Sequence, residues 1–208
     1  MRAISHIKKN RVGRAQTSFL IRAALACLIT ALTLLGAISA AQADVKIVVA
    51  GSATANTLYG VARYNPDGSL DTSFDTDGKV TTDVSTSGDF AFAVAIQADG
   101  KIVAAGYSWN GTSYDFCVVR YNADGSLDTD FGSGGWVLTD FEGGTDEAHA
   151  VAIQSDGKIV VAGWADVDPT ETIDYDFAVV RYNTDGSLDT DFGTGGKMTT
   201  YFVSEDVS

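Results

Sequence analysis

Only a few side chains in the chain have the chemistry of a nucleophile or a general base. Beyond the N-terminal segment, His149 is the only histidine and Cys117 the only cysteine. His149 takes the position that Phe92 holds in the preceding repeat, and Cys117 the position that Ala178 holds in the following repeat. Positions that accept Phe or Ala are packing positions, so we predict two core residues. A Cys–His pair or a His-based triad cannot recur across the repeats, and we predict no enzyme.

The aspartates are candidates for binding a cation. The segment 73–78 resembles the first half of a calcium loop, with acids at Asp75 and Asp77. Such a loop requires a carboxylate at its first position and a bidentate acid at its twelfth. Ser73 and Val84 occupy those positions here. We therefore predict a turn, with no metal site and no cofactor. A loosely held Ca²⁺ suits the acids but has no loop motif to support it.

Aromatic and acidic residues concentrate where the repeats differ most, at 52–58, 107–114 and 164–175. Aromatic rings flanked by acids suit carbohydrate stacking or a basic protein surface. Loops on a rigid scaffold are a common place for binding, so we expect an unidentified protein or carbohydrate as partner. Two alternatives stay open: connections that vary without function, and a carboxylate-based hydrolase acting from this face. The predicted binding residues are Tyr107, Trp109, Trp164, Asp166, Asp168, Glu171 and Asp174.

The elements that position these residues occur in tandem copies. Residues 176–196 repeat residues 115–135 almost letter for letter, and residues 60–78 are a looser copy. One arginine marks the same point in each copy, at Arg63, Arg120 and Arg181. The period is thus 57 and then 61 residues. A period of this size predicts a repeat architecture. We expect the repeated arginine and the repeated Asp71, Asp128 and Asp189 to be structural, tying turns to neighbouring strands.

Each copy contains the pattern of up to four short strands. They are predicted at 93–97 and 150–154 (first), 46–51, 101–106 and 158–163 (second), 61–65, 118–122 and 179–183 (third), and 78–83, 135–140 and 196–201 (fourth). Asp-Gly pairs separate the first strand from the second and follow the third. Glycine in such a hairpin loop adopts a left-handed backbone conformation that other residues avoid. The predicted structural turns contain Gly68, Gly100, Gly125, Gly157 and Gly186.

Hydrophobic patterning predicts how these strands pack. The first three strands are apolar or small on both faces, which is typical of a sheet covered on both sides. The fourth strand alternates, as expected at an outer edge. The predicted fold is therefore all-β, with β-propeller blades of four antiparallel strands in an open arc of about two and three-quarter blades. A flat β-solenoid is the alternative, although its coils are usually shorter than this period.

The repeated phrases resemble a known family. RYNxDGSLDTDFGxGGK and VAIQxDGKIVVAG are similar to the delta-60 repeat of bacterial secreted proteins, over residues 46–200. This resemblance implies a propeller fold and export, and it brings neither an established activity nor catalytic residues. The repeat units run from about 44 to 89, 90 to 145 and 146 to 208. Members commonly hold more units than the two and a fraction found here, so this chain departs from the family in copy number.

The first 43 residues are predicted to be a signal peptide. Six basic residues and no acid precede an apolar run at 23–37, and Ala41-Gln42-Ala43 fits a signal-peptidase site. The run is shorter than the ~20 apolar residues of a membrane span. We expect cleavage before Asp44 and a periplasmic, cell-surface or secreted protein. The remaining 165 residues carry 8 basic residues and 27 acids, a net charge of −19. This charge argues against nucleic acid or an anionic membrane as partner.

An open arc of blades also predicts self-association. The first blade lacks its innermost strand, and the first-strand pattern that would supply it is the one expected after Ser208. Propellers close with four to eight blades, and uncovered blade faces form apolar patches larger than monomers tolerate. We expect either more copies in a longer member of the family or a ring assembled from several chains through the open blade faces.

Overall fold

The computed structural model describes residues 45–53, 58–167 and 175–201. Every regular element in these ranges is a β-strand. No helix in this part of the chain is long and apolar enough to cross a membrane. The strands form three antiparallel sheets, each built from consecutive segments of the chain.

The first sheet has three strands in sequential order. They are β1 (Ile47–Ala53), β2 (Leu58–Tyr64) and β3 (Lys79–Thr82). The middle and third sheets have four strands each, again in sequential order. The middle sheet contains β4 (Asp89–Ile96), β5 (Ile102–Trp109), β6 (Tyr114–Tyr121) and β7 (Trp136–Thr139). The third sheet contains β8 (Asp146–Ile153), β9 (Ile159–Asp166), β10 (Tyr175–Tyr182) and β11 (Lys197–Thr200).

The predicted strands are confirmed, and in the structure they extend further toward one edge of the sheets. β4 and β8 begin four residues before the predicted first strands, and β5 and β9 continue three residues beyond the predicted second strands. The added residues lie at the edge where the repeats differ in sequence. The apolar pattern did not predict this extension because most of these residues are polar or aromatic and their pairing is set by the neighbouring strand.

The hydrophobic core lies between the sheets. In β5, Ile102 and Ala104 pack in a cluster with residues of the first sheet, whereas Val103 and Ala105 pack in a second cluster with residues of the third sheet. All four side chains are buried. A strand buried on both faces needs apolar residues at every position, which explains the continuous apolar run.

The two outer sheets each keep one open face. Ile47 and Val49 in β1 are 49% and 44% exposed, whereas their counterparts Ile102 and Ala104 are 1% and 0% exposed. Stacked antiparallel sheets of this kind, each built from the segment of chain that follows the previous sheet, are the blades of a β-propeller. The described chain is an open arc of one three-stranded and two four-stranded blades.

A charged cluster that recurs in every blade joins the strands to the turn after the third strand. The Asp128 carboxylate accepts hydrogen bonds from Arg120 Nε at 2.6 Å and Lys101 Nζ at 2.7 Å. The arginine also stacks on a phenylalanine ring, with its Cζ 4.4 Å from the Phe131 centroid. Equivalent contacts form in the other blades, among Lys46, Arg63, Asp71 and Phe74, and among Lys158, Arg181, Asp189 and Phe192. The repeated arginine and aspartate are therefore partners within each blade.

The same cluster connects each blade to the next one. Arg63 Nη1 donates to the carbonyl of Ala123 in the middle blade, and Arg120 Nη1 donates to the carbonyl of Thr184 in the third blade. A buried hydroxyl pair repeats at the same two junctions. Tyr121 and Thr82 are 2.8 Å apart, and Tyr182 and Thr139 are 2.6 Å apart. These bonds explain why the polar residues recur in each copy: they satisfy buried groups at the blade junctions.

The Asp-Gly turns also take part in blade stacking. All five predicted turn glycines have φ between +84° and +96°, which confirms the turn prediction. At Gly125 a Cβ atom would lie 2.8 Å from the Asp75 backbone nitrogen of the preceding blade. That nitrogen donates to the carbonyl of Asp124, at 2.8 Å. Glycine is therefore required at this position both for its backbone angle and for the close approach of two blades.

Candidate functional site

The blades place the variable segments along one edge, which we call the variable edge. The β5–β6 hairpin closes at residues 110–113, and the crossover from the middle to the third blade covers residues 140–145. Strand pairing sets both at the same end of the sheets: Trp109 pairs with Tyr114, and Thr139 pairs with Phe116. The Asp-Gly turns lie at the opposite end. The geometry therefore gathers the diverse residues on a rigid support.

Four of the predicted binding residues lie on strands and not in loops. Tyr107 and Trp109 belong to β5, and Trp164 and Asp166 belong to β9. Their expected placement in loops was wrong, because the hairpin ladders run further than the apolar pattern does. The other three, Asp168, Glu171 and Asp174, lie outside the described residues.

Aromatic side chains form a continuous series across the middle and third blades, which we call the aromatic row. In spatial order it consists of Trp109, Tyr114, Tyr107, Phe92, His149, Trp164 and Tyr175. Neighbouring ring centroids are 4.0 to 6.4 Å apart. Phe92 and Tyr175 are 50% and 51% exposed, so the row presents ring surface to solvent. Tilted and edge contacts at these distances hold the rings in place without burying them.

Two members of the row occupy β-bulges. The register between β4 and β5 shifts at Phe92, and the register between β8 and β9 shifts at His149. An extra residue in a bulge is unpaired and turns its side chain away from the regular alternation. The prediction that His149 is a core residue was therefore wrong, since its side chain is 43% exposed. The corresponding prediction for Cys117 is confirmed, because Cys117 is fully buried and burial raises the pKa of its thiol.

An acid accompanies the row in the third blade. The Glu147 carboxylate lies 3.4 Å from His149 Nε2. Burial raises the pKa of Glu147, although the neighbouring imidazole partly opposes this effect. The row therefore combines exposed ring surface with a carboxylate acceptor. The sequence predicted this combination, but with the aspartates of the β9–β10 segment as the acids.

Sequence reasoning missed a second group of residues at the variable edge, the acidic triad of Asp115, Asp140 and Asp146. One carboxylate oxygen from each lies within 4.8 Å of the others. Asp115 and Asp146 are buried, and Asp140 is exposed. Burial, together with the charges of Asp115 and Asp140, raises the pKa of Asp146 to about 7. The sequence signal is Asp115, which stands where the preceding repeat has Leu58, because both crossovers carry the other two acids.

The fold and its edges define a β-propeller repeat protein, with blades fixed by the recurring Lys–Arg–Asp cluster. The family model described as "Domain of unknown function (DUF5122) beta-propeller" matches residues 42–74, 97–131 and 154–192. These segments make up about half of the chain, and the chain belongs to this family. The second and third segments each span strands two and three of a blade and the turn that follows. No curated protein matches the chain.

Proposed function

We propose that the chain is an exported, non-enzymatic binding module built of delta-60-type propeller repeats, and that it binds through the aromatic row. The observation that carries this proposal is the row itself, seven rings in contact across two blades with ring surface open to solvent. Solvent-facing rings in contiguous series mark interaction sites more often than single exposed apolar residues do. Export is supported by the basic, apolar and small-residue order of the first 43 residues.

The favoured ligand is a carbohydrate. Flat rings give a sugar a stacking surface at low entropic cost, and a nearby carboxylate such as Glu147 can accept hydrogen bonds from its hydroxyl groups. The negative net charge of the chain favours a neutral or cationic ligand over an anionic one. A basic protein surface satisfies the same rings and acids, and a comparison of glycan binding with protein capture distinguishes the two.

The test uses the exposed rings, because their removal leaves the core intact. Phe92→Ala removes half-exposed ring surface at a bulge, and Leu138→Ala removes a similar exposed side chain, 38% accessible, on the outer strand β7. We expect wild-type protein and Leu138→Ala to bind the same glycans on an array, and Phe92→Ala to lose that binding with an unchanged melting temperature. Loss of binding in both variants, or in neither, would remove the row as the site. A pull-down that captures only protein, again dependent on Phe92, would favour the protein partner.

A carboxylate-based hydrolase remains the alternative because Asp115 and Asp146 are both buried and face one another. One oxygen of each lies within 4.8 Å of the other, shorter than the roughly 6.5–9.5 Å of inverting glycosidases and near the roughly 5–5.5 Å of retaining ones. Both oxygens of Asp115 also accept hydrogen bonds from its own hairpin, from Asn110 at 2.7 Å and Ser113 at 2.9 Å. A carboxylate held in this way has little freedom to act as nucleophile or base. Glycoside hydrolysis that Asp146→Asn abolishes would favour this alternative.

We also propose that the open blade faces mediate self-association with a second copy. Ile47 and Val49 present apolar surface on the first blade, and Met198 is 45% exposed in the third blade. In the middle blade, both of the equivalent faces are covered by the neighbouring blades. A second copy can supply the same stacking surface, since its blades carry the same repeated groups.

A further inference from the structure

The two blade junctions use crossovers of equal length but different chemistry. Residues 83–89 connect the first blade to the middle blade, and residues 140–146 connect the middle blade to the third. Each crossover begins with an exposed aspartate, Asp83 or Asp140, and ends with a fully buried one, Asp89 or Asp146. The first junction therefore serves as an internal reference for the second.

At the first junction the buried carboxylate has a complete set of neutral partners. Asp89 Oδ1 accepts hydrogen bonds from the hydroxyl groups of Ser85, at 3.0 Å, and of Ser108. Asp89 Oδ2 accepts a hydrogen bond from the backbone nitrogen of Val84, at 2.8 Å. A buried carboxylate with this many donors is satisfied without a counter-ion.

At the second junction both serine hydroxyls are missing. Glu142 stands where Ser85 stands, and Ala165 where Ser108 stands. Asp146 Oδ2 still accepts a hydrogen bond from the Phe141 backbone nitrogen, at 2.7 Å. Its Oδ1 is buried and has no hydrogen-bond partner within the part of the chain that the structure describes. A buried carboxylate oxygen without a partner is unfavourable unless the group takes up a proton or a cation lies beside it.

The same junction gains a carboxylate where the first has an apolar side chain. Asp115 occupies the position of Leu58 in the first blade, and it brings its carboxylate into the acidic triad with Asp140 and Asp146. Among the described residues, no lysine or arginine forms a salt bridge with any of the three. The nearby Lys197 instead donates to the backbone carbonyl of Asp140, at 2.8 Å. The crossover carboxylate has therefore lost two hydroxyl donors and gained a second carboxylate beside it, which keeps its own hydrogen bonds from Asn110 and Ser113.

We propose that Asp115, Asp140 and Asp146 bind one divalent cation, with Ca²⁺ the best match, between the middle and third blades. Carboxylate oxygens are the ligands that Ca²⁺ prefers, and its Ca–O distances of about 2.3–2.6 Å place oxygens on opposite sides of the ion about 5 Å apart. The triad oxygens fall within that span. Mg²⁺ requires a smaller, near-ideal octahedron, which suits three separately supported side chains less well.

The position of the triad explains what the ion does there. Asp115 lies on β6, Asp140 follows β7, and Asp146 begins β8, so one ion connects the middle blade to the third at the variable edge. The buried pair holds the ion between the sheets, and the exposed Asp140 provides the route from solvent. Waters complete the six to eight ligands of Ca²⁺. The site is separate from the aromatic row, so its existence does not depend on the carbohydrate proposal.

The decisive experiment compares two exposed aspartates at equivalent positions. The purified full chain, stripped of metal with a chelator, is titrated calorimetrically with CaCl₂ and, separately, with MgCl₂. We expect one Ca²⁺ per chain with a higher melting temperature, and weaker binding of Mg²⁺. Asp140→Asn should weaken Ca²⁺ binding by about tenfold or more, since affinity follows the ligand charge count. Asp83→Asn removes the same charge at the first junction and should leave binding unchanged.

A second variant restores at the second junction one donor that the first junction has. Ala165→Ser places a hydroxyl beside Asp146, because Ala165 pairs with Asp146 as Ser108 pairs with Asp89. This variant should fold, raise the melting temperature of the metal-free chain and reduce the further rise that Ca²⁺ produces. The proposal is overturned if the wild-type chain shows no saturable Ca²⁺ binding up to millimolar concentration. It is equally overturned if Asp83→Asn weakens binding as much as Asp140→Asn does.

Discussion

The contact between Phe131 and the third blade allows a quantitative prediction of how much blade stacking contributes to the free energy of unfolding. The Phe131 ring is fully buried, and a Cβ atom at Gly186 of the third blade would lie 2.9 Å from its Cε2 atom. Removing a buried phenylalanine ring typically costs about 3–5 kcal/mol of unfolding free energy. We expect Phe131→Ala to fall in this range.

The third blade supplies a matched control for that substitution. Phe192 holds the equivalent position and stacks with Arg181 at 4.8 Å, close to the 4.4 Å between Phe131 and Arg120. The cation–π contribution, about 1 kcal/mol, therefore nearly cancels in the comparison. Phe192 is only half-buried, because no further blade covers it within the described residues. We expect Phe192→Ala to cost about 2 kcal/mol less than Phe131→Ala.

Urea unfolding followed by tryptophan fluorescence measures both free energies, with circular dichroism as a second probe. The m-value should not change, since neither substitution alters the surface exposed on unfolding by much. The melting temperature of Phe131→Ala should lie about 4–8 °C below that of Phe192→Ala. Equal losses in the two variants would refute the view that stacking of successive blades, and not the packing inside each blade, contributes the larger share at this position.

Three further predictions concern the turns, the open faces and the N-terminus. Gly125→Val should destabilise the chain by about 2 kcal/mol or more in thermal unfolding, whereas Gly51→Ala, in open space at ordinary backbone angles, should change stability by less than about 0.5 kcal/mol. If Gly125→Val is equally harmless, the turn does not pack as described. Light scattering on the purified protein should show a concentration-dependent oligomer that Val49→Asp dissociates, and a monomeric wild type would contradict self-association through the blade faces. Intact-mass measurement of secreted protein should give a chain beginning at Asp44, while retention of the first 43 residues would refute the predicted cleavage.

Much of the fold can be predicted from the sequence because its determinants are local. The Asp-Gly pairs fix the hairpin turns through the backbone freedom of glycine, and Gly125 and its four counterparts all adopt the expected angle. Continuous apolar runs such as 102–105 identify strands covered on both faces, which is what stacked blades require. Repetition of these local signals at one period is sufficient to predict blades of a propeller.

The candidate sites could be predicted only in part, because they depend on how neighbouring strands pair. Phe92 and His149 occupy bulges, and a bulge is set by the register of two strands and not by either sequence alone. Their exposure, which completes the aromatic row, therefore followed only from the tertiary structure. The strand positions of Tyr107 and Trp164 also followed only from the tertiary structure. Their strands continue beyond the apolar pattern because the neighbouring strands pair with them there.

The acidic triad shows most clearly where sequence reasoning reaches its limit. Asp115 and Asp140 are 25 residues apart, and they meet because β6 and β7 pair as neighbours in one blade. Asp146 joins them because the crossover returns the chain to the same edge at the start of the next blade. The sequence by itself determined the repeats, turns, strands and overall charge, each of which depends on residues close together in the chain. The tertiary structure decided which charges meet at one site and which of them are buried, because burial and distance are properties of the packed blades.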